Sequence, residues 1–210
     1  FDEDRSAALK TYSHIGAVFG DLEIDLGPFN IPPAVAKQIS LNQKLALVCA
    51  REALADSGYL ERDFNRERTG IIIAATAGDL WQKHFESAFS QSVRTRLKKL
   101  CGTQSQKNII DELWDKYESA YPDLPINEDS LPGAIGSVVT GRIASALNLN
   151  GPQFILDSAC ASSLTAVATA VTNLRSGICD MVVTGGVETD ASAISYVTLS
   201  KVRALSGKGG

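Results

Sequence analysis

Apolar residues recur with helical spacing in five stretches of the chain and form short β-branched runs in three others. The first long stretch, from Pro33 to Ser57, predicts one buried helix that ends at Gly58. The run from Thr69 to Thr76 predicts a strand that is covered on both faces, because it lacks polar alternation. A strand of this kind is typical of a parallel sheet in an α/β protein.

Two amphipathic helices are predicted in the middle of the chain. Their apolar stripes comprise Trp81, Phe85, Ala88 and Phe89, and then Ile110, Leu113, Trp114, Tyr117 and Tyr121. We interpret these aromatic residues as packing residues. The basic stretch from Arg94 to Lys99 lies between the stripes and is interpreted as a solvated face, with an acidic docking partner as the alternative.

A strand, a helix and a second strand are predicted between Gln153 and Gly186. The helix has apolar residues at helical spacing, and Gly177 is its expected end. Because a crossover of this length joins parallel strands, the segment predicts a βαβ unit. Cys160 lies at its strand-to-helix turn, on the sheet edge where α/β proteins collect ligands and catalytic groups.

Composition excludes several classes of protein. The chain has 210 residues, is 44% apolar and has a net charge of −4, so it lacks the basic footprint of a nucleic-acid-binding protein. No apolar run is long enough for a membrane span, and no secretory signal precedes the first predicted helix. We expect a cytoplasmic protein, and we expect both ends of the chain to lie inside a longer polypeptide.

The four cysteines have the spacing of neither a disulfide framework nor a zinc site. Cys49, Cys101 and Cys179 are predicted to be buried structural thiols, which fits a reducing compartment. His14 and His84 are predicted to be structural or exposed. No metal site is predicted.

Cys160 is the candidate nucleophile. A free thiol is mostly protonated at neutral pH, and a helix N-terminus favours its anion through unpaired backbone N–H groups. The same N–H groups are able to hold an oxyanion. Position alone leaves two alternatives open: a buried structural cysteine in a small-residue turn, and a thioredoxin-like C-x-x-S site formed by Cys160 to Ser163.

The segment GPQFILDSACASSLTAV resembles the active-site segment of β-ketoacyl synthases, in which D-x-A-C-[AS]-S-S-L surrounds the acyl-accepting cysteine. The preceding LPGAIGSVVTGRIASALNLNGP and the following ICDMVVTGGVE and LSKVRALSGKGG resemble the neighbouring segments of that family. The residues of these segments most resemble those of synthases of polyunsaturated-fatty-acid or related lipid type. One departure is Ser40-Leu41-Asn42-Gln43, where the family usually has aspartate-proline-glutamine.

The resemblance implies a thiolase-like α/β fold with α-β-α-β-α layers, of which residues 1–210 supply the N-terminal half, and a homodimer. It implies that Cys160 accepts an acyl group from the phosphopantetheine arm of an acyl carrier protein, with the Cys160 backbone N–H as an oxyanion donor. Decarboxylation of a malonyl thioester then generates the carbanion that extends the chain. No bound cofactor is implied.

In this family, two histidines of the second half stabilise the enolate, and neither His14 nor His84 matches their motifs. We therefore expect the isolated 210-residue chain to be inactive. The alternatives are a thiolase-like or chalcone-synthase-like acyltransferase that uses coenzyme A esters, and a non-catalytic partner subunit.

Overall fold

The computed structural model describes residues 1–4, 6–17, 22–76, 79–120 and 125–207, without the side chains of residues 79–84, 86, 87 and 120. Three strands form one sheet: β1 (Thr69–Ala75), β2 (Gln153–Leu156) and β3 (Met181–Val187). The helices are α1 (Pro33–Lys37), α2 (Leu41–Asp56), α3 (Asp79–Leu100), α4 (Gln104–Ala120), α5 (Ser130–Ala134), α6 (Val138–Leu147), α7 (Ser162–Arg175) and α8 (Ala193–Lys201). Short 3₁₀ turns occur at Gly27–Phe29, Arg66–Arg68 and Ala159–Ala161.

The sheet is parallel, and its strand order is β2-β1-β3. β1 is buried along its whole length, which confirms the strand predicted from its unbroken apolar run. β2 and β3 both pair with β1 and not with each other, so β1 lies between the two strands of the predicted βαβ unit. All three strands therefore end at the same edge of the sheet.

The core lies on both faces of β1. Ile72 and Ala74 pack with Ala166 and Ala170 of α7. The alternate β1 residues, such as Ile71, are also buried, and α2 and α6 contact the sheet as well. Gly186 of β3 lies so close to α7 that an added Cβ atom would be 2.9 Å from the Cβ atom of Ser163.

The predicted single helix from Pro33 to Ser57 is wrong, since the chain breaks between α1 and α2. Ser40 is the N-cap of α2, and its Oγ accepts a hydrogen bond from the Gln43 N–H at 3.5 Å. The apolar pattern continues across the break between α1 and α2, so the pattern does not reveal this break.

The helices α3 and α4 contact each other, and ion pairs join them. Arg94 lies 2.7 Å from Asp111, and Lys98 lies 2.8 Å from the other oxygen of the same carboxylate. Phe85 and Phe89 are 69% and 62% exposed, so their interpretation as packing residues is wrong. In the second stripe, Ile110 and Trp114 are half-buried, whereas Leu113 and Tyr117 are exposed. The side chain of Trp81 and the whole of Tyr121 lie outside the described structure.

The cysteine predictions have mixed outcomes. Cys179 is buried as predicted. Cys49 is exposed on α2 and Cys101 is half-buried, so the prediction of buried thiols is wrong for both. His14 is exposed and stacks on Phe1 with ring centroids 3.5 Å apart, as expected for a histidine without a catalytic role, and the side chain of His84 lies outside the described structure.

The chain divides into two compact units, residues 25–188 and residues 1–24 with 189–210. The first unit contains the sheet and Cys160. The second contains α8, where the Tyr12 hydroxyl donates to the Leu205 carbonyl at 2.9 Å and the Thr11 and Ser200 hydroxyls are 2.8 Å apart.

No helix in the described parts of the chain has both the length and the apolar character needed to cross a bilayer.

Candidate active site

The site is built on the turn that joins β2 to α7. β2 ends at Leu156, and Cys160 lies in the 3₁₀ turn Ala159–Ala161, directly before α7 begins at Ser162. The thiol-bearing residue is exposed at the carboxyl edge of the sheet. The predicted position of Cys160, between a parallel strand and the N-terminus of a helix, is thus the position found.

Two polar side chains hold this turn. Asp157 Oδ1 accepts a hydrogen bond from the Ala159 N–H at 2.8 Å. Ser162 Oγ accepts from the Ser158 N–H at 2.8 Å and donates to the Ala159 carbonyl at 2.6 Å. The bonds on both sides of Cys160 fix the backbone of the turn, so the direction of the cysteine is set by its neighbours.

The backbone of Ala159 is in the left-handed region, with φ of 53°. Non-glycine residues adopt this conformation at a cost of about 1–2 kcal/mol, and such residues concentrate at functional sites. Here the left-handed residue reverses the chain immediately before Cys160. Its small side chain limits the steric cost of the reversal.

The backbone N–H of Cys160 has no hydrogen-bond acceptor within the described part of the chain. The next two N–H groups are used, because Ala161 N donates to the Ser158 carbonyl at 3.2 Å and Ser162 N donates to the Ala159 carbonyl. An unpaired N–H beside the thiol, at the positive end of the 14-residue helix α7, is the type of donor that stabilises an oxyanion.

Two further polar residues meet at the same edge of the sheet. Thr76 follows β1, Glu188 follows β3, and the Thr76 hydroxyl donates to the Glu188 carboxylate. Gly136 also reaches this edge, since an added Cβ atom would be 3.0 Å from the Thr76 carbonyl. The hydroxyl–carboxylate bond links the end of the central strand to the end of β3.

Sequence reasoning missed the roles of Asp157 and Ser162, because a motif does not show which of its side chains hold the turn. The available signal was the Asp157 side chain two residues before Ala159, a spacing typical of an Asx turn. The Thr76–Glu188 contact was also missed, although both residues directly follow strands. Among the described residues, no group of three or more His, Cys, Asp or Glu side chains is arranged to hold a metal ion.

The family sequence model for the β-ketoacyl synthase N-terminal domain matches residues 1–210. The chain belongs to the β-ketoacyl synthase family. It is 30% identical over 206 residues to a polyunsaturated fatty acid synthase from Thraustochytrium sp., covering 98% of this chain and 7% of that protein. It is 44% identical over 210 residues to the mycoketide-CoA synthase of Mycobacterium tuberculosis, covering 100% of this chain and 4% of that protein.

Solved structures confirm the predicted thiolase-like α/β fold of this β-ketoacyl synthase chain. An oxazolomycin ketosynthase domain from Streptomyces albus aligns with a TM-score of 0.67 at 21% identity, covering 96% of this chain and 29% of the other. A β-ketoacyl synthase from Burkholderia phymatum aligns with a TM-score of 0.64 at 15% identity, covering 95% and 41%. The chain therefore spans a small part of its curated relatives and less than half of either solved ketosynthase. It is part of a ketosynthase-type condensing domain of the kind found in fatty-acid and polyketide synthases.

Proposed function

We propose that Cys160 is the nucleophile that holds the growing acyl chain as a thioester during fatty-acid or polyketide synthesis. The observation that carries this proposal is the exposed cysteine beside an unpaired backbone N–H at the start of α7, within the family's D-x-A-C-x-S-S-L motif. The proposed donor is the phosphopantetheine thioester of an acyl carrier protein.

In the first step, the Cys160 sulfur attacks the acyl carbonyl carbon and a new C–S bond forms. The carbonyl oxygen becomes an oxyanion that the Cys160 N–H stabilises, and the C–S bond to phosphopantetheine then breaks. The proton lost by Cys160 leaves with the phosphopantetheine thiol. An electrostatic donor in such a position is typically worth about 10²–10³ in rate.

In the second step, a malonyl thioester loses carbon dioxide, and the resulting carbanion attacks the acyl carbonyl carbon on Cys160. A carbon–carbon bond forms, and the Cys160 thiolate is released. This step needs donors for the enolate, which we assign to two histidines outside residues 1–210. His14 is exposed and stacked on Phe1, so it does not fill that role.

The experiment measures acyl transfer from an acyl carrier protein to the full-length protein by intact mass spectrometry. Cys160→Ala is expected to abolish the acyl adduct and to lower condensation by about 10³-fold or more. Cys49→Ala is the matched control, because Cys49 is also exposed but lies on α2. Persistence of the adduct in Cys160→Ala, or its loss in Cys49→Ala, would overturn the assignment.

The use of coenzyme A esters in place of carrier-protein thioesters is the second candidate. The same adduct experiment separates the two, with acyl-coenzyme A as donor. Loading from acyl-coenzyme A that is as fast as loading from the carrier protein would favour a thiolase-like acyltransferase.

A further inference from the structure

A cavity of about 500 Å³ opens on the opposite edge of the sheet from Cys160. Arg66 lies shortly before β1, and Asn148 lies shortly before β2, so the cavity is at the amino ends of the strands. Cys160 follows the carboxyl end of β2. The cavity is thus separate from the turn that carries the thiol.

Two arginines line this cavity, Arg51 of α2 and Arg66, and its lining includes no carboxylate. The rest of its wall is largely apolar and includes Phe29, Leu60 and Leu147. The cavity is wide open to solvent, so it suits a small ligand that keeps part of its surface in water. Because both arginines are cationic and no carboxylate lines the cavity, the wall carries a positive charge that none of its own residues neutralises.

Arg66 is held in place. Its Nη1 donates to the Leu147 carbonyl at 2.7 Å, and its guanidinium carbon lies 4.4 Å from the centre of the Phe64 ring. These contacts occupy one of five N–H donors and fix the plane of the group. The nearby carboxylate of Glu67 accepts a hydrogen bond from the Asn150 side chain at 2.9 Å and does not line the cavity.

The hydrogen bond to the Leu147 carbonyl at the end of α6 accounts for the position of Arg66, but it does not account for the position of Arg51. In the described part of the chain, Arg51 forms no hydrogen bond or ion pair, and it is exposed on α2. Two guanidinium groups that line one wall without a carboxylate among the lining residues favour the binding of an anion.

We propose that this arginine pocket, defined by Arg51, Arg66 and the apolar wall of Phe29, Leu60 and Leu147, binds a small organic anion. The ligand class is a phosphate ester or carboxylate carried on an apolar group of a few carbon atoms. The guanidinium groups bind the anionic group, and the apolar wall covers the carbon skeleton. The pocket is a second site, distinct from the acylation site at Cys160.

Calorimetric titration of the full-length protein tests the proposal with three probes: phenyl phosphate, benzoate and uncharged benzyl alcohol. Saturable binding of phenyl phosphate or benzoate, but not of benzyl alcohol, is expected, and the tighter of the two identifies the anion. Arg51→Gln is expected to weaken binding at least tenfold. Arg96→Gln is the matched control, since Arg96 is an exposed arginine on α3 that does not line the pocket.

Binding by the Cys160→Ala variant should equal that of the unmodified protein, because the two sites are on opposite edges of the sheet. Arg66→Lys keeps the charge but loses the planar donor geometry and the bond to the Leu147 carbonyl, so a weaker affinity and a lower unfolding temperature are expected, and affinities are compared well below that temperature. Absence of saturable anion binding, or equal affinity in Arg51→Gln and the unmodified protein, would overturn the proposal.

Discussion

At the scale of single residues, the chemistry depends on the backbone at Ala159 as much as on the thiol. The left-handed conformation of Ala159 directs the next residue toward the sheet edge, and Asp157 and Ser162 hold it there. A side chain with a branched Cβ atom is poorly compatible with that conformation. The backbone thus disfavours residues with a branched Cβ atom at position 159, independently of any contact with substrate.

Ala159→Val is expected to lower the free energy of unfolding by about 1–3 kcal/mol and to reduce acylation of Cys160. The branched side chain strains the turn and so changes the direction of both the Cys160 thiol and the Cys160 N–H. Urea unfolding and the acyl-adduct assay measure the two effects. Ala159→Gly is the control, since glycine adopts a positive φ readily and should keep acylation within a few-fold of the unmodified protein.

The place of Cys160 could be predicted from the sequence because a strand pattern, a turn of small residues and a helix pattern follow one another around it. The exposure of Cys49 could not be predicted from the sequence. Cysteine is a frequently buried residue type, and the apolar residues around Cys49 extend nearly all round α2. Which face of α2 is buried depends on the positions of α6 and the sheet. The residues near Cys49 in the sequence do not determine those positions.

At the scale of elements, a buried glutamine joins α2 to the segment that precedes α6. Gln43 is 1% exposed, and its Nε2 lies 3.0 Å from each of the carbonyl oxygens of Pro132, Gly133 and Ile135. Its Oε1 accepts a hydrogen bond from Arg142 Nε at 2.6 Å. This one side chain therefore connects three parts of the chain.

Gln43→Leu is expected to lower the free energy of unfolding by about 2–4 kcal/mol, because it leaves buried carbonyls and a partly buried guanidinium without their partner. Chemical unfolding of the full-length protein measures the change. Gln104→Leu is the control, since Gln104 is exposed on α4 and should change stability by less than about 0.5 kcal/mol. Equal effects of the two substitutions would show that the Gln43 hydrogen bonds contribute nothing.

The hydrophobic pattern predicted the existence of most helices and strands but not this connection. Gln43 and Gln38 are polar residues that are nevertheless buried, and a pattern of apolar positions assigns such residues to the surface. Their partners are about 90 residues away in sequence, as in the bond from Gln38 Nε2 to the Pro125 carbonyl at 2.8 Å. The break between α1 and α2 was missed because the apolar pattern continues across it, although Ser40 is a typical N-cap.

The contact between helices α3 and α4 is expected to weaken in acid, because it depends on the ionised carboxylate of Asp111. Hydrogen bonds from Lys98, and then from Arg94, hold the pKa of the Asp111 carboxyl below its ordinary value. A carboxyl with a lowered pKa contributes stability above its unfolded-state pKa of about 4, and that contribution is lost as the pH falls through the lower folded-state pKa. The contacts between α3 and α4 should therefore weaken below about pH 4.

Hydrogen exchange of α4, followed by mass spectrometry from about pH 5 down to about pH 2, measures this effect after correction for intrinsic exchange. Asp111→Asn is expected to lower protection at the upper end of the range and to remove most of its pH dependence. Asp115→Asn is the control: Asp115 is 3.9 Å from Arg94 and 73% exposed, so the profile should change little. An unchanged profile in Asp111→Asn would contradict the assignment.

At the scale of the whole molecule, α7 has one face on the sheet and an apolar face in the open. Ala166 and Ala170 are buried against β1, whereas Leu164, Val167, Val171 and Leu174 are 39% to 76% exposed. A contiguous apolar face of this kind is unfavourable in water. Helical spacing predicted that these residues form a helix, but not that its larger apolar residues face away from the sheet.

Leu164→Lys is expected to have opposite effects in two settings. In the isolated 210-residue chain it should reduce self-association, since it places a charge on the exposed face. In the full-length protein, where we expect this face to be covered, it should lower the free energy of unfolding by at least about 2 kcal/mol. Light scattering and urea unfolding measure the two effects, and a neutral result in the full-length protein would show that the face is not covered there.

The strand order has a consequence for synthesis of the chain on the ribosome. β1 is the central strand, yet its partners follow much later in the sequence: Ile71 pairs with Gln153, and Thr69 pairs with Met181. At about 5–20 residues per second, synthesis of β1 is complete roughly 4–16 seconds before the first residue of β2 is made. During that interval its Ile71–Ile73 run is an unpaired β-branched segment, which is the type of sequence that chaperones bind and that aggregates when they do not. Synthesis rate and chaperone supply should therefore affect the yield of this protein more than its final stability does.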